Sequence, residues 1–385
     1  MEYVKLKDIT TKITKGTTPS NVGDSFTDEG INYFRSEMLG KAKYLDKSSG
    51  MMFISESTHN KLKRSQIEAN DILFSMAGIY LGKLAIVKDE DVPANTNQAV
   101  ALIRFNKGVN IDYLYYFMVQ KSFNAYVNCM SAQAAQPNIN LKQIGNLQIA
   151  LPTDEQQKRI AGILSAYDNL IENNNKRIKL LEQMAENLYK EWFVRFRFPG
   201  YEDTEFENVI PKGWDVKKVK NCVKRLPFNQ LYKQSDLENE GTVIVIDQSS
   251  SDFLGFHNNE PSHYASIEKP IILFGDHSCK FVLMIRDFSL GENVIPFITA
   301  YENELDNYYL YYAIHKLIST EEYKRHWGRL TAMKIFVPPY QLQKSFSDIV
   351  TLLIEEEQKL WNENLLLKKQ RDMLLPRLMS GKLEV

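Results

Sequence analysis

Asp112-Tyr113-Leu114-Tyr115-Tyr116-Phe117 and Tyr308-Tyr309-Leu310-Tyr311-Tyr312-Ala313 are one short phrase written twice, once in each half of the chain. Each is followed by a hydrophobic run ending in proline, Leu147 to Pro152 (LQIALP) and Met333 to Pro338 (MKIFVP), and then by a long charged segment with helical periodicity. The spacing predicts one helix from about Thr153 to Phe193 and another from about Pro339 to Met379. Identities between the copies are sparse, so the repeated order is the signal of an internal duplication. Two copies of domain-then-long-helix make a pseudo-twofold object, which suits a target itself divided into two half-sites.

Working outward, the first long helix opens with Thr153-Asp154-Glu155-Gln156 after Pro152, where a hydroxyl and early acidic groups serve the free amides and the helix dipole. Its seam recurs at about 3.5-residue spacing through Ile160, Leu164, Tyr167, Ile171, Asn174, Ile178, Leu181, Ala185, Leu188 and Trp192. Shifted by the distance from Leu147 to Met333, the second helix gives a heptad ladder of Phe346, Leu353, Leu360, Leu367 and Leu374, with Glu357, Asn364 and Arg371 between them. A polar residue in such a seam weakens the pairing but fixes its register, the role expected of Asn174 and Asn364; the alternative is that these positions rotate to solvent. A helix of about 40 residues is about 60 Å long at 1.5 Å per residue. Since the chain must come back, an antiparallel pair with one globular domain at each end is the simplest closure.

The fold expected is therefore α+β: two domains of mixed strands and helices, separated by two long helices that form an antiparallel coiled coil, with a pseudo-twofold internal repeat. The expected boundaries are a first domain over 1–151, a long helix over 152–196, a connector over 197–210, a second domain over 211–338 and a second long helix over 339–380. Strand-like runs such as Asp71 to Phe74 and Lys83 to Val87 lie among polar loops in the first domain. The helix around Asn110 to Asn128 is crowded with Tyr and Phe, which at helical spacing reads first as core and only second as a base-stacking platform. Glu202, Asp203, Glu205 and Glu207 read as a solvated connector.

With 385 residues, 44% hydrophobic and 25% charged, the chain can hold two ordinary cores and is not of disordered composition. No run approaches the ~18–20 apolar residues of a membrane span, and Met1-Glu2-Tyr3-Val4-Lys5 lacks a signal-peptide core, so a soluble cytoplasmic protein is expected. Cys129, Cys222 and Cys279 are too scattered for a disulfide frame or zinc ribbon, and His277 with Cys279 has no second pair, so no metal site is expected. A formal net charge of -1 argues against phosphate tracking by the chain alone. A subunit that grips DNA with larger partners can borrow their positive surface.

Four motifs carry a resemblance. They are the EWFVRFRFPG junction (Glu191 to Gly200), Ile210-Pro211-Lys212-Gly213-Trp214, the helix start Pro152-Thr153-Asp154-Glu155-Gln156, and the turn Lys15-Gly16-Thr17-Thr18-Pro19-Ser20. In this order, and with the duplication, the chain resembles over essentially its whole length the specificity subunits of type I restriction-modification systems. The resemblance implies two variable target recognition domains, each reading half of a bipartite double-stranded DNA sequence, with helical regions between them acting as a ruler. It implies that the helices dock two modification (methyltransferase) subunits, and that restriction (translocase/endonuclease) subunits join them. No cofactor is expected in this chain: S-adenosylmethionine, ATP and Mg belong on the partner subunits. The second copy departs from the pattern, with Arg225-Leu226-Pro227-Phe228 in place of the glycine-threonine-proline turn and a helix start, Pro338-Pro339-Tyr340-Gln341-Leu342-Gln343, that has no acidic residue.

Two other classes remain as alternatives, a self-contained DNA methyltransferase or nuclease and a coiled-coil adaptor without DNA binding. Val337-Pro338-Pro339-Tyr340 imitates the loop with which amino-methyltransferases hold a base, but valine cannot accept a hydrogen bond from an exocyclic amine. Gly78-Ile79-Tyr80-Leu81-Gly82-Lys83 is one residue too short for a phosphate loop and has Leu84 where the magnesium-binding hydroxyl belongs; it reads as a tight turn feeding a strand. No catalytic centre is therefore expected. Base readout needs polar, loop-borne side chains. The DNA-binding candidates are Thr17, Thr18, Ser20, Asn21, Arg35, Ser75, Gln133 and Gln136 in the first domain, and Gln248, Ser249, His257, Asn258, His277, Arg325 and Arg329 in the second. The helix seam, Leu367 and Leu374 in particular, is expected to dock the methylating partner.

Overall fold

The computed structural model describes residues 2–131, 138–207, 209–249, 251–319 and 324–383. It divides into two compact units, Met1–Asn173 with Glu363–Val385, and Asn174–Asn362. The boundaries fall inside the two long helices, Asp154–Tyr189 and Tyr340–Met379, so each unit holds a globular domain and one half of each helix.

The duplication is complete at the level of sheet topology. In the first unit Thr10–Lys15, Val100–Phe105, Ile72–Ser75 and Leu84–Ile86 form a four-stranded antiparallel sheet in that spatial order. In the second unit Val223–Arg225, Val294–Thr299, Ile271–Gly275 and Phe281–Met284 do the same. Each unit adds a three-stranded sheet whose central strand has one antiparallel and one parallel neighbour: Ile31–Phe34 between Met52–Ile54 and Ala94–Thr96, and Val243–Ile246 between Gly255–His257 and Phe288–Leu290. A two-stranded ladder closes each unit at the foot of its long helix, Glu2–Lys5 with Gln148–Leu151 and Asp215–Lys218 with Lys334–Val337. The central strands Ile72–Ser75 and Ile271–Gly275 are buried at every position, as strands covered on both faces must be.

The tyrosine phrases form the helices Ile111–Met118 and Asn307–Ile314, each capped at its start by a side chain, Asn110 or Asp306. Their aromatic rings are core. Tyr113 donates to the Ala150 carbonyl at 2.8 Å and Tyr309 to the Phe336 carbonyl at 2.6 Å, so each helix is pinned to the strand that leads into the long helix. The expected single helix through Asn128 is two, Ile111–Met118 and Lys121–Ser131.

Both long helices begin alike. Thr153 and Gln156 cap each other reciprocally, and the buried Gln157 donates to the Pro152 carbonyl at 2.9 Å. At the matching place Gln343, fully buried, donates to the Pro338 carbonyl at 2.7 Å and accepts from the Asp306 amide at 2.9 Å. Gln343 also donates to the Glu304 carbonyl at 3.0 Å, so the glutamine common to both starts fixes the turn from strand to helix, and at the second start it does so with no acidic residue in the first turn.

Within each unit the two helix halves run antiparallel. In the first, Asp168 pairs with Arg371, and Leu378 and Met379 pack into the core around Ile160, Ala161 and Leu164. In the second, Arg177 pairs with Glu356 at 2.8 Å, and Ala185 and Leu188 join a cluster with Phe346 and Val350. The seam faces inward: Ile160, Leu164, Ile171, Asn174, Phe346, Leu360 and Asn364 are buried, and Tyr167, Ile178, Leu181, Leu188, Leu353, Leu367 and Leu374 are half-buried. Leu374 is packed on the first core and Leu367 is half-buried in the same intramolecular seam.

The first long helix ends in a π-helical turn, Lys190–Val194. From it the EWFVRFRFPG junction folds back, with Phe193 at 4.7 Å from Tyr309, 5.2 Å from Phe346 and 5.9 Å from Trp214, and with Phe196 and Phe198 also against Trp214. The junction and the IPKGW motif are therefore one aromatic cluster that seals the second unit, each ring contact adding to its area burial.

Candidate nucleic-acid interface

One end of the paired sheets in the first unit gathers loops. The strand Thr10–Lys15 leaves the sheet at Gly16, whose amide donates to the Val100 carbonyl at 3.2 Å. A Cβ there would lie 1.9 Å from the Thr96 carbonyl oxygen, so only glycine fits the close approach. Thr17 donates its amide to the Thr96 carbonyl at 2.9 Å, and the Thr18 hydroxyl meets the Gln98 side chain. Tyr33 donates to the Thr17 carbonyl at 3.2 Å and holds the turn to the three-stranded sheet. Arg35 follows the same central strand and pairs with Glu37 at 2.9 Å. Thr17, Thr18 and Arg35 are thus brought together, with Ser20 and Asn21 exposed on the following 3-10 turn Pro19–Val22. The tight turn Gly78–Tyr80, feeding Leu84–Ile86, stands at this same end and presents Ile79 almost fully to solvent.

The second unit gathers different side chains at the same topological place. Gln248 and Ser249 follow its central strand, and the Gln248 side chain accepts the His277 amide at 3.1 Å. Asp276 caps the helix Trp327–Ala332, accepting the His326 and Trp327 amides at 3.0 and 2.8 Å, while the Arg325 guanidinium stands 3.9 Å from it. Arg329, on that helix, donates to the Ser319 carbonyl at 3.2 Å. Gln248, Ser249, His277, Arg325 and Arg329 therefore lie along one edge of the fold.

The departure at Arg225 has a structural cause. Leu226 donates to the Pro296 carbonyl at 2.9 Å and the strand leaves the sheet there, whereas the first copy runs two residues further before its glycine turn. The early exit places Arg225 beside Phe228 and Trp327, with its guanidinium 5.4 and 5.6 Å from the ring centroids.

Three candidates lie apart from these groups. Ser75 is fully buried at a strand end, and His257 is buried, stacked on Tyr232 at 4.2 Å and bonded to the Ser289 hydroxyl at 2.9 Å. Burial also pushes the His257 pKa below the ordinary histidine value, so it offers neither access nor charge. Asn258 is exposed but caps Thr242 at 3.1 Å, at the opposite end of the three-stranded sheet from Gln248. Gln133 and Gln136 lie outside the described residues.

Sequence reasoning missed Asn97 and Gln98, although Asn95-Thr96-Asn97-Gln98 is a run of four hydrogen-bonding side chains, and it missed Arg225. It also missed a shallow basic concavity of about 400 Å³ at the start of the strand Thr10–Lys15, lined by Lys7, Lys12, Lys142, Thr10, Thr11 and Asn146, with no acidic residue in its wall. The second unit repeats two of these lysines as Lys220 and Lys224. A net charge near zero thus conceals local basic faces.

Among the described residues no group of three or more His, Cys, Asp or Glu is placed to hold a metal ion, and no helix is long and apolar enough to cross a membrane.

Comparison with known proteins agrees with this architecture. Residues 1–183 match the family model described as type I restriction modification DNA specificity domain. The chain is 27% identical over 415 aligned residues to the type I restriction enzyme MjaIX specificity subunit of Methanocaldococcus jannaschii, covering 99% of this chain and 93% of the relative. It is 25% identical over 412 residues to the putative MjaX specificity subunit of the same organism, covering 100% and 94%. Among solved structures, the S subunit of the type I restriction-modification system from M. genitalium shares the fold, with a TM-score of 0.55 and 17% identity over 98% of this chain and 95% of that one.

Proposed function

We propose, on the premise that this chain belongs through residues 1–183 to the type I restriction modification DNA specificity domain family, that it is the non-catalytic specificity subunit of a type I complex and reads a bipartite DNA sequence. One observation carries the reading: the same sheet end is built twice and furnished with different side chains each time. Two unlike readers on one scaffold fit two unlike half-sites. The first reader, in the target recognition domain over 1–151, uses Thr17, Thr18, Ser20, Asn21 and Arg35 with Gln98. The second, over 211–338, uses Gln248, Ser249, His277, Arg325 and Arg329 with Arg225. Arginine suits guanine and glutamine suits adenine in the major groove, while Lys7, Lys12, Lys220 and Lys224 meet phosphates.

The long helices dock two modification subunits, and restriction subunits join through these. The surface for docking is not the seam but the residues one step around the helix. The first unit exposes Ile163, Leu170, Leu366 and Met373; the second exposes Leu180, Met184, Ile349 and Leu352. Ile163 and Ile349, and Leu180 and Leu366, are equivalent positions of the repeat, so each unit offers one version of the same apolar patch. S-adenosylmethionine, ATP and Mg enter with those partners, in the cytoplasm where the DNA is.

The test is a methylation-site map of DNA from cells expressing this chain with its modification subunit. A bipartite motif is expected. Replacing Thr17, Thr18 and Gln98 by alanine should alter one half of it only, and lengthening the segment 173–175 by one heptad should change the accepted spacer while leaving both halves intact. A map in which the spacer stays fixed, or in which both halves change together, refutes the two-reader arrangement.

A further inference from the structure

The space between sheet and long helices is treated differently in the two units. In the first, the loop 35–51 between the central strand and its antiparallel neighbour sends Lys43 into it. The Lys43 ammonium, almost completely buried, lies 2.8 Å from Asp112 Oδ1, 2.9 Å from Ser165 Oγ and 5.3 Å from the centre of the Tyr116 ring. Beside it Lys88 crosses the Tyr44 ring at 4.3 Å to reach Glu172. In the second unit the corresponding loop is only 247–254, and a cavity of about 600 Å³ remains between the sheet and the helices. That volume is in the range of about 300–1,000 Å³ typical of small-molecule sites.

The helix wall of this cavity carries Glu182 and Glu357. Among the described residues neither carboxylate forms an ion pair. Burial, and then Glu182, push the Glu357 pKa up to about 7, and burial followed by Glu186 and Asp252 raises that of Glu182 against a smaller opposing effect of Lys179. The bases in the wall face other partners than Glu182 and Glu357: Lys280 donates to the Asp247 and Ser251 carbonyls, His315 stands 3.6 Å from Glu186, and the Arg286 guanidinium lies 4.1 Å over Trp361, itself part of the wall. The remaining surface is aromatic and aliphatic, including Tyr311, Tyr312, Phe253 and Ile246.

We propose that this cavity binds a linear aliphatic diamine or polyamine, with one ammonium between Glu182 and Glu357 and the methylene chain along the tyrosine face. The first unit supplies the same chemistry from its own chain. Lys43 rests on Tyr116, and Tyr312 holds the same place as Tyr116 in the repeated Tyr-Leu-Tyr-Tyr phrase. An alkylammonium on a tyrosine face among carboxylates is stabilised by the ring quadrupole and by ion pairing in a partly desolvated site. Where the loop is too short to deliver one, a free amine completes the arrangement. The inference is independent of the DNA reading, since no candidate base contact lines the cavity.

Isothermal titration calorimetry of the full chain with spermidine and with putrescine, at about 0.15 M salt to screen loose surface association, tests it. One saturable site is expected, weakened at least roughly tenfold in the E182Q/E357Q variant. It should be unchanged in the connector variant E202Q/D203N. The glutamines remove a like-charge contact, so the double variant should fold, which circular dichroism checks. Non-saturable heats, or equal losses in both variants, overturn the proposal in favour of general attraction to an acidic surface. If the amines do not bind but E182Q/E357Q weakens association with the modification subunit, the cavity belongs to a lysine of that partner and the proposal fails.

Discussion

The two units share a strand order but not a way of filling the gap beneath the long helices. The first unit closes it with charge from its own loop, and its helix halves are locked by Asp168, which accepts from both Arg371 and the Tyr116 hydroxyl. Burial works against the Arg371 charge, yet Asp168 and Asp372 hold it on. The second unit leaves its gap open, lines it with Glu182 and Glu357, which form no ion pair among the described residues, and ties its helices by the more exposed Arg177–Glu356 pair and by aromatic packing. The same architecture thus tolerates either a closed, ion-paired interior or an open one walled by carboxylates and aromatic rings. Loop length decides which, because the sheets and helices that frame the gap are unchanged.

The largest way to break this comparison is at the end of the sheets where the proposed readers lie. Gly16→Ala forces a Cβ onto the Thr96 carbonyl, and about 3 kcal/mol or more of strain is expected to displace the first reader. Methylation mapping should show loss of one half-sequence, with no equivalent effect from Leu226→Ala in the second unit. Next, Arg371→Ala leaves a buried Asp168 without its cation and should cost about 3 kcal/mol, whereas Arg177→Ala should cost less than about 1 kcal/mol. Hydrogen exchange, read separately for each unit, distinguishes them. Lys43→Ala opens the first gap and should cost about 2 kcal/mol; partial recovery of melting temperature by ethylamine would show that the space it leaves resembles the natural cavity.

A further small effect is on pH dependence. Glu357 is raised when folded, so the folded state binds more protons than the unfolded one between about 4.5 and about 7. Stability of the second unit should therefore fall as pH rises through that window, by about 1 kcal/mol after allowing for the open mouth of the cavity. Glu357→Gln should flatten the curve in urea titrations. Glu182, Glu186, Asp252, Lys280, Arg286 and His315 face the same space, so a residual slope in the glutamine variant would assign the remainder to them.

What the sequence made legible follows from the range of each signal. The long helices and the duplication are written in local periodicity and could be read directly. The seam was legible as a stripe, but a stripe does not say what covers it: Leu367 and Leu374 turn inward, while Leu366 and Met373, one residue away, face outward. Strand ends were less legible, because register is set by partners distant in sequence. Ser75 and His257 look like polar loop residues until their neighbours, Val100 and Val243, are known. Two of the motifs that carried the resemblance, the EWFVRFRFPG junction and IPKGW, were aromatic and proved to be structural glue; the polar residues that face outward at the loop ends of the sheets carry no comparable signature. The peel-off after Leu226 has a local cause, since Pro227 has no amide to continue the ladder beyond the Leu226 bond to Pro296.

One feature of the first core reaches into biosynthesis. Leu378 and Met379 are buried against Ile160 and Leu164, so the first unit cannot finish its interior until the second long helix has been made. A nascent or truncated product would expose that apolar floor to chaperones and proteases. Synthesis of the second long helix becomes a condition for stable folding of the first unit, and a fragment that carries the sheets of that unit alone is kept from accumulating.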